Sequence, residues 1–391
     1  MIPYGRQHIT EADIRAVESV LRSDFLTQGP VVPNFEAKFS ALVGAKHSVA
    51  VNSATSALHL ACLALDVGPG DQVWTVPNSF VASANCARYC GASVDFVDID
   101  PDTLCMSADL LEKKLLDHKS CGRPIPKVVI PVHFSGQSCD MATIHRLSRE
   151  FGFKIIEDAS HATGARYRGP TDPGFHSVGC CQFSDICVFS FHPVKIITTG
   201  EGGMATTNSK EIAHKLQMLR THGITRDPEF FEDESPGPWH YEMHALGLNY
   251  RMTDIAAALG LSQLQRLDEF ISSRQRIADA YREALSGLRG IGFQSTPDYT
   301  QSANHLFVIH VPAELRGPLF KGLRAAGIGV NLHYIPITEH PYYKRLGFIT
   351  QSFPHSTRHY ETTLSLPIFP GLDEASVMSV VRTTQDFMIQ N

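Results

Sequence analysis

The sequence predicts an α/β fold, with a mostly parallel central sheet in a large domain and a smaller C-terminal α+β domain. Three observations carry this reading. From residue 47 onward, short β-rich runs alternate with helical segments, the pattern of βαβ units whose sheet is covered on both faces. Near Tyr250 the alternation stops and a long helical periodicity begins. The chain has 391 residues, which at about 150 residues per domain makes two domains, or three. The boundary falls between residues 1–250, which include an N-terminal helical segment, and residues 251–391.

In chain order, 47–52 (HSVAVN) reads as a strand and 53–65 as a helix. Strands at 72–77 and 93–97 repeat the theme, with 80–89 helical between them. Further strands are predicted at 128–133, 154–157, 186–190 and 203–207. In 253–285, alanines and leucines recur three and four apart, which predicts one long helix linking the two domains. Beyond it come strand-like runs over 305–311 and 329–334, a helix over 313–326 between them, and a final helix over 373–389. Residues 226–239 are rich in Pro, Asp and Glu and read as an excursion loop.

Composition narrows the function. Lys plus Arg number 34 against 40 Asp plus Glu, a formal charge of -6, so the basic stripe of a nucleic-acid binder is missing. No apolar run approaches the ~18 residues that span a bilayer. The N-terminus enters polar sequence without a basic and apolar leader, so a cytoplasmic protein with no membrane partner is expected. Nine cysteines form no C-x-x-C pair, and no metal site is expected. Several lie in apolar segments, where Cys is a small buried hydrophobe; adjacent Cys180 and Cys181 rarely bridge.

Three constellations carry chemistry. In Asn52–Leu58 (NSATSAL) a strand turns into a helix through small hydroxyl residues. Unpaired N–H groups and the positive dipole end make such a turn a phosphate cradle, although the same residues also serve as a plain N-cap. In Ile155–Ala162 (IIEDASHA) an apolar strand delivers two carboxylates at its C-terminal end, where open α/β sheets place ligands. Asp158 there wants a cationic partner, and a protonated heterocyclic nitrogen would serve. His161 reads either as a polar residue at a helix start or as a cofactor contact. Finally, Val188–Lys195 (VFSFHPVK) feeds a lysine, ringed by apolar and aromatic neighbours, into the glycine-rich turn IITTGEGG. Desolvation lowers a lysine's pKa and frees its amine for Schiff-base formation, whereas a lone lysine more often snorkels to the surface. Its 37-residue offset from Asp158 favours the first reading.

These segments occur in the order seen in fold-type I PLP-dependent transferases, and their wording resembles the DegT-type sugar-nucleotide aminotransferases, from residue 2 to nearly the C-terminus. The strings IPYGRQ, SDFLTQGP, PNSFVASANCA, PVHFSGQS, SFHPVKIITTGEGGMA and LGLNYRMTDIAAALGLSQL are similar to the branch that serves pseudaminic acid biosynthesis. The resemblance implies pyridoxal 5′-phosphate bound to Lys195, with Asp158 on its ring nitrogen. It further implies phosphate contacts from Ala54, Thr55, Ser56 and Ser190, Phe80 stacked on the ring, and His161 near the phenolic oxygen. Asn249 would reach the cofactor of the neighbouring subunit, so a homodimer with composite active sites is expected. Tyr4, Asp24, Phe25, Leu26, Thr27, Leu332, His333 and Tyr334 resemble positions that hold the sugar nucleotide. The implied substrates are L-glutamate and a UDP-linked 4-keto-6-deoxy-N-acetylhexosamine. A sibling activity on a dTDP-hexose or UDP-pentose, or a non-catalytic PLP-binding regulator, would share most of these residues. Residues 169–178 run longer than the turn expected there, which would alter the rim of a substrate cleft.

Overall fold

Seven strands build the central sheet of the computed structural model, which describes residues 1–390. They are β1 (His47–Val51), β2 (Gln72–Thr75), β3 (Ser93–Phe96), β4 (Val128–Val129), β5 (Lys154–Asp158), β6 (Ile186–Ser190) and β7 (Gly203–Thr207). Their order is β1-β7-β6-β5-β4-β2-β3. β7 runs antiparallel to both neighbours and the other pairs are parallel. Helices α1 (Glu11–Leu21), α2 (Val31–Val43), α3 (Ala54–Ala64), α4 (Ala82–Tyr89), α5 (Ala108–Ser120), α6 (Met141–Phe151) and α7 (Lys210–Leu219) accompany it. Successive strand side chains point to opposite faces, so Ile155 and Phe189 enter one core with Phe35 and Phe39, while Ile156 and Val188 enter another with Leu58 and Leu60. Such two-sided burial is why these strands read as continuous apolar runs.

The strand expected over 128–133 stops at Val129. Pro131 has no N–H to give a ladder, and its carbonyl instead accepts from Asp158 N at 2.9 Å. The single helix expected over 253–285 is two, α8 (Asp254–Leu264) and α9 (Leu267–Leu285). At the break Arg266 donates to buried Asp13 (2.5 Å) and to the His8 carbonyl, tying the N-terminal segment down. Neither Gly nor Pro marks the site, and the apolar periodicity runs on across it.

A second, three-stranded antiparallel sheet follows, built from β8 (Gly292–Phe293), β9 (Phe307–His310) and β10 (Thr363–Leu366) in that order. α10 (Ala313–Ala325), α11 (Pro341–Arg345), α12 (Pro354–Thr362) and α13 (Glu374–Gln390) complete the chain, and this sheet shares a third core with α9, α10 and α13. Residues 329–334 are not a strand; only Asn331 bridges to Ser365. Asn331 Oδ1 accepts from Leu332 N, and Tyr334 N donates to Asn78 Oδ1, so this segment crosses toward the first sheet. The long loop at 169–178 belongs to a hairpin whose arms, Arg166–Tyr167 and His176–Ser177, pair with each other, and Arg166–Tyr167 pairs on its other side with Thr300–Gln301. Among the described residues, no helix is long and apolar enough to cross a membrane.

Candidate active site

The C-terminal ends of β5 and β6 open into a cavity of about 540 Å³. Strand alternation separates the two acids of β5. Glu157 turns into the protein, where it accepts from His133 Nε2 at 2.7 Å and from Ser184 Oγ. Only Asp158 faces the cavity, so one carboxylate arrives there rather than two. It is buried, with Ser83 Oγ donating to Oδ2 at 2.6 Å and Ser160 N to Oδ1 at 3.1 Å. No Lys, Arg or His forms an ion pair with it among the described residues.

β6 ends at Ser190, and a tight loop carries Lys195 to the cavity floor. Phe191 N donates to the Gly202 carbonyl, Thr199 N to the Phe191 carbonyl, and Lys195 N to the His192 carbonyl, which closes the loop on itself. The return into β7 requires Gly203, because a Cβ there would lie 2.6 Å from Ser53 O and Ala54 N. This close approach seats the start of α3 beside the lysine. Burial brings the Lys195 amine down to about 8, against the opposing pull of the Asp158 carboxylate. Among the described residues its Nζ has no hydrogen-bond or ion-pair partner.

Ser53 caps α3 by accepting from Ser56 N at 3.1 Å, and the first-turn N–H groups of Ala54 and Thr55 have no intrahelical acceptor. Ser53, Ala54, Thr55 and Ser190 line this end of the cavity. Phe80 lines it too, 59 % exposed.

The opposite wall comes from the C-terminal half. Ser135 N donates to His161 Nδ1 at 3.3 Å, which leaves the proton on Nε2, 2.9 Å from Tyr334 Oη. Tyr334 Oη is thereby an acceptor toward His161, and its own proton is free for the cavity. Burial, with Lys195 and His333 nearby, holds His161 well below the usual histidine range. His305 packs 4.5 Å from the His161 ring, is likewise held low by burial, and its buried Nδ1 has no hydrogen-bond partner among the described residues. Burial pushes His333 down to about 3. Tyr4, Asn331 and Leu332 complete this side.

Of the residues expected from sequence, the cavity thus brings together Lys195, Asp158, Ala54, Thr55, Phe80, His161, Ser190, Tyr4, Leu332, His333 and Tyr334. Ser56 lies just behind it, its hydroxyl given to Asn52 Oδ1 at 2.6 Å. Asn249 and the stretch Asp24, Phe25, Leu26 and Thr27 lie outside the cavity of this chain and are exposed. Residues 169–178 line none of it, so the longer loop leaves this rim unchanged.

Over residues 7–385 the chain matches the DegT/DnrJ/EryC1/StrS aminotransferase family. The chain belongs to this family. This DegT-family chain is 38 % identical over 393 residues to the spore coat polysaccharide biosynthesis protein SpsC of Bacillus subtilis (strain 168), covering 99 % of this chain and 97 % of that one. It is 37 % identical over 371 residues to the UDP-4-amino-4,6-dideoxy-N-acetyl-beta-L-altrosamine transaminase of Campylobacter jejuni subsp. jejuni, covering 94 % and 92 %. Among solved structures, Spr1654 from Streptococcus pneumoniae in its PLP form superposes with a TM-score of 0.88 at 31 % identity, over 100 % of this chain and 99 % of that one. The DegT-family chain is a PLP-dependent sugar aminotransferase of α/β fold, as its sequence led us to expect.

Its residues fit that cofactor. A buried carboxylate without a cation, an unpartnered lysine and the open N-terminus of α3 face one cavity, and they match a pyridinium nitrogen, an aldehyde and a phosphate. Sequence reading missed Ser83, His305 and Asn331, which line the cavity, and it gave no individual role to Ser53, His192 and Glu201, which line it from within the constellations it singled out. PNSFVASANCA held a signal for Ser83, since a serine on the first turn of a helix beside the carboxylate strand can reach across. His305 and Asn331 had none, because they arrive through the second sheet.

Proposed function

We propose that this chain moves the amino group of L-glutamate to C4 of a UDP-linked 4-keto-6-deoxy-N-acetylhexosamine, forming UDP-4-amino-4,6-dideoxy-N-acetyl-β-L-altrosamine. The observation that carries the chemistry is the shared cavity of Lys195 and Asp158, one amine held near neutrality and one carboxylate without a cation. The sugar and pathway, pseudaminic acid synthesis, are supported by the strings quoted above and by the Campylobacter jejuni relative.

Bound pyridoxal phosphate supplies an aldehyde for imine exchange and a ring that accepts electrons. Lys195, with its pKa near 8, holds both amine and ammonium forms at working pH, so its Nζ can take a proton from the amino-donor carbon and return it elsewhere. Asp158 holds a proton on the ring nitrogen, and Ser83 and Ser160 orient the carboxylate for it. Ser190 and the first turn of α3 bind the phosphate. Phe80, which lines the cavity, would stack on the ring. The Tyr334 phenol, kept as donor by His161, faces the space left for substrate.

We read the active unit as a homodimer with composite sites. Asn249 and residues 24–27 are exposed on a single chain, and Phe25, Leu26 and Leu246 expose large apolar groups beside them. A second copy would bring these residues over the cleft of the first.

The test is a panel in which the enzyme, preloaded with amino groups by glutamate, meets UDP- and dTDP-linked keto sugars. NMR of the aminated product identifies base, carbon and stereochemistry. Amination of the UDP-4-keto-6-deoxy-N-acetylhexosamine in preference to the rest is expected; preference for a dTDP-hexose or a UDP-pentose overturns the substrate assignment.

A further inference from the structure

Two serines stand in line behind the carboxylate of the cleft. Ser79 Oγ lies 2.8 Å from Ser83 Oγ, and Ser83 Oγ lies 2.6 Å from Asp158 Oδ2. All three residues are buried and line the cavity. Proton counting gives the chain a direction. A carboxylate accepts and does not donate, so the single Ser83 proton goes to Asp158. Ser79 must then donate across the 2.8 Å contact, and the order runs Ser79 to Ser83 to Asp158.

Without Ser79 the Ser83 hydroxyl has a second choice. It sits on the first turn of α4, where a serine hydroxyl can turn back to the carbonyl three or four residues earlier. A proton received from Ser79 engages the Ser83 oxygen in the orientation that serves Asp158, and successive bonds in such a chain strengthen one another. Ser79 is itself fixed from the C-terminal half. Its N–H donates to the Pro77 carbonyl at 3.1 Å, which also accepts from Ile337 N at 2.9 Å. Asn78 Oδ1, between them in the chain, accepts from Tyr334 N at 3.2 Å.

We propose that Ser79 is a positioning residue for the amino transfer: it locks the Ser83 hydroxyl onto Asp158 and so holds that carboxylate toward the ring nitrogen of the cofactor. The inference rests on the reading of Asp158 as the partner of that nitrogen. Ser160 N fixes Oδ1 at 3.1 Å and the serine chain fixes Oδ2, so each oxygen has its own anchor. The part played by Ser79 passes through Ser83 alone, which separates it from a residue that merely fills space.

The test is a double-mutant cycle with two readouts: PLP affinity by absorbance titration, and the single-turnover rate at which L-glutamate converts the bound cofactor. Ser79→Ala should lower each by about threefold to tenfold, the loss of one hydrogen bond, and leave the glutamate concentration for half-maximal rate unchanged. Ser79→Thr keeps the hydroxyl and should restore both. In a Ser83→Ala background, Ser79→Ala should change nothing further, because the chain is already broken. Additive losses in the double variant, or a Ser79→Ala enzyme equal to the unsubstituted one, would overturn the proposal. If Ser79→Ala fails to fold, the isosteric pair Ser79→Thr and Ser79→Val decides: a difference in favour of Ser79→Thr that vanishes with Ser83→Ala supports the relay, and any other result overturns it. Asp158→Asn tests the reading beneath. Unchanged affinity and rate there would remove the ring-nitrogen assignment and the relay with it, whereas losses there without losses in Ser79→Ala would remove the relay alone.

Discussion

Ser83 Oγ donates to Asp158 Oδ2 across 2.6 Å, joining the first turn of α4 to the last residue of β5. A hydrogen bond to a charged group contributes about 1.5–3 kcal/mol. Ser83→Ala should therefore leave the carboxylate free to turn and lower kcat/KM by about tenfold or more, with weaker cofactor retention. Steady-state kinetics and an absorbance titration with PLP check both.

Lys195 should show its lowered pKa without turnover. In the cofactor-free chain, reaction of its amine with trinitrobenzenesulfonate should rise as pH increases through about 8, because only the unprotonated form reacts. Asp158 favours the ammonium, so Asp158→Asn should move that midpoint to lower pH. Peptide mapping across pH reads it.

His161 should stay neutral across the working range. Its ring is buried near Lys195 and His333, and the Ser135 N–H occupies Nδ1. Nitrogen-15 NMR of histidine-labelled protein should show one ring fixed as the Nε2–H form with no titration between pH 6 and 8. His161→Asn should remove that signal.

Buried Arg274 gives a stability test. Among the described residues its guanidinium has no carboxylate partner; Nη1 donates to the carbonyls of Asn304, His305 and Ile368, and burial brings its pKa down to about 9. Each buried acceptor left without a donor costs about 1–3 kcal/mol. Arg274→Met should thus destabilise the fold by roughly 3 kcal/mol or more, seen as a lowered Tm, and loosen His305 at the cleft.

How far the sequence reached follows from separation along the chain. Asp158 was legible because it ends a strand whose apolar run is short and unambiguous, and Lys195 because it follows such a strand by five residues and leads into a glycine turn. Glu157 was misplaced with Asp158, since adjacency hides the alternation that sends neighbouring side chains to opposite faces. β10 went unseen: Thr363–Leu366 is short and directly follows α12, and it becomes a strand only through pairing with β9. The split between α8 and α9 depends on Arg266 meeting Asp13, 253 residues away. Asn331 and His305 reach the cavity by similar long-range packing, which no local pattern encodes.

The central claim is that the cleft of this aminotransferase carries its cofactor on Lys195. The most direct measurement is borohydride reduction of the PLP-loaded enzyme followed by peptide mapping. A single pyridoxyl label on Lys195, lost in Lys195→Ala together with at least about a hundredfold of turnover, is the predicted result. A label on another lysine, or full turnover in Lys195→Ala, would contradict it.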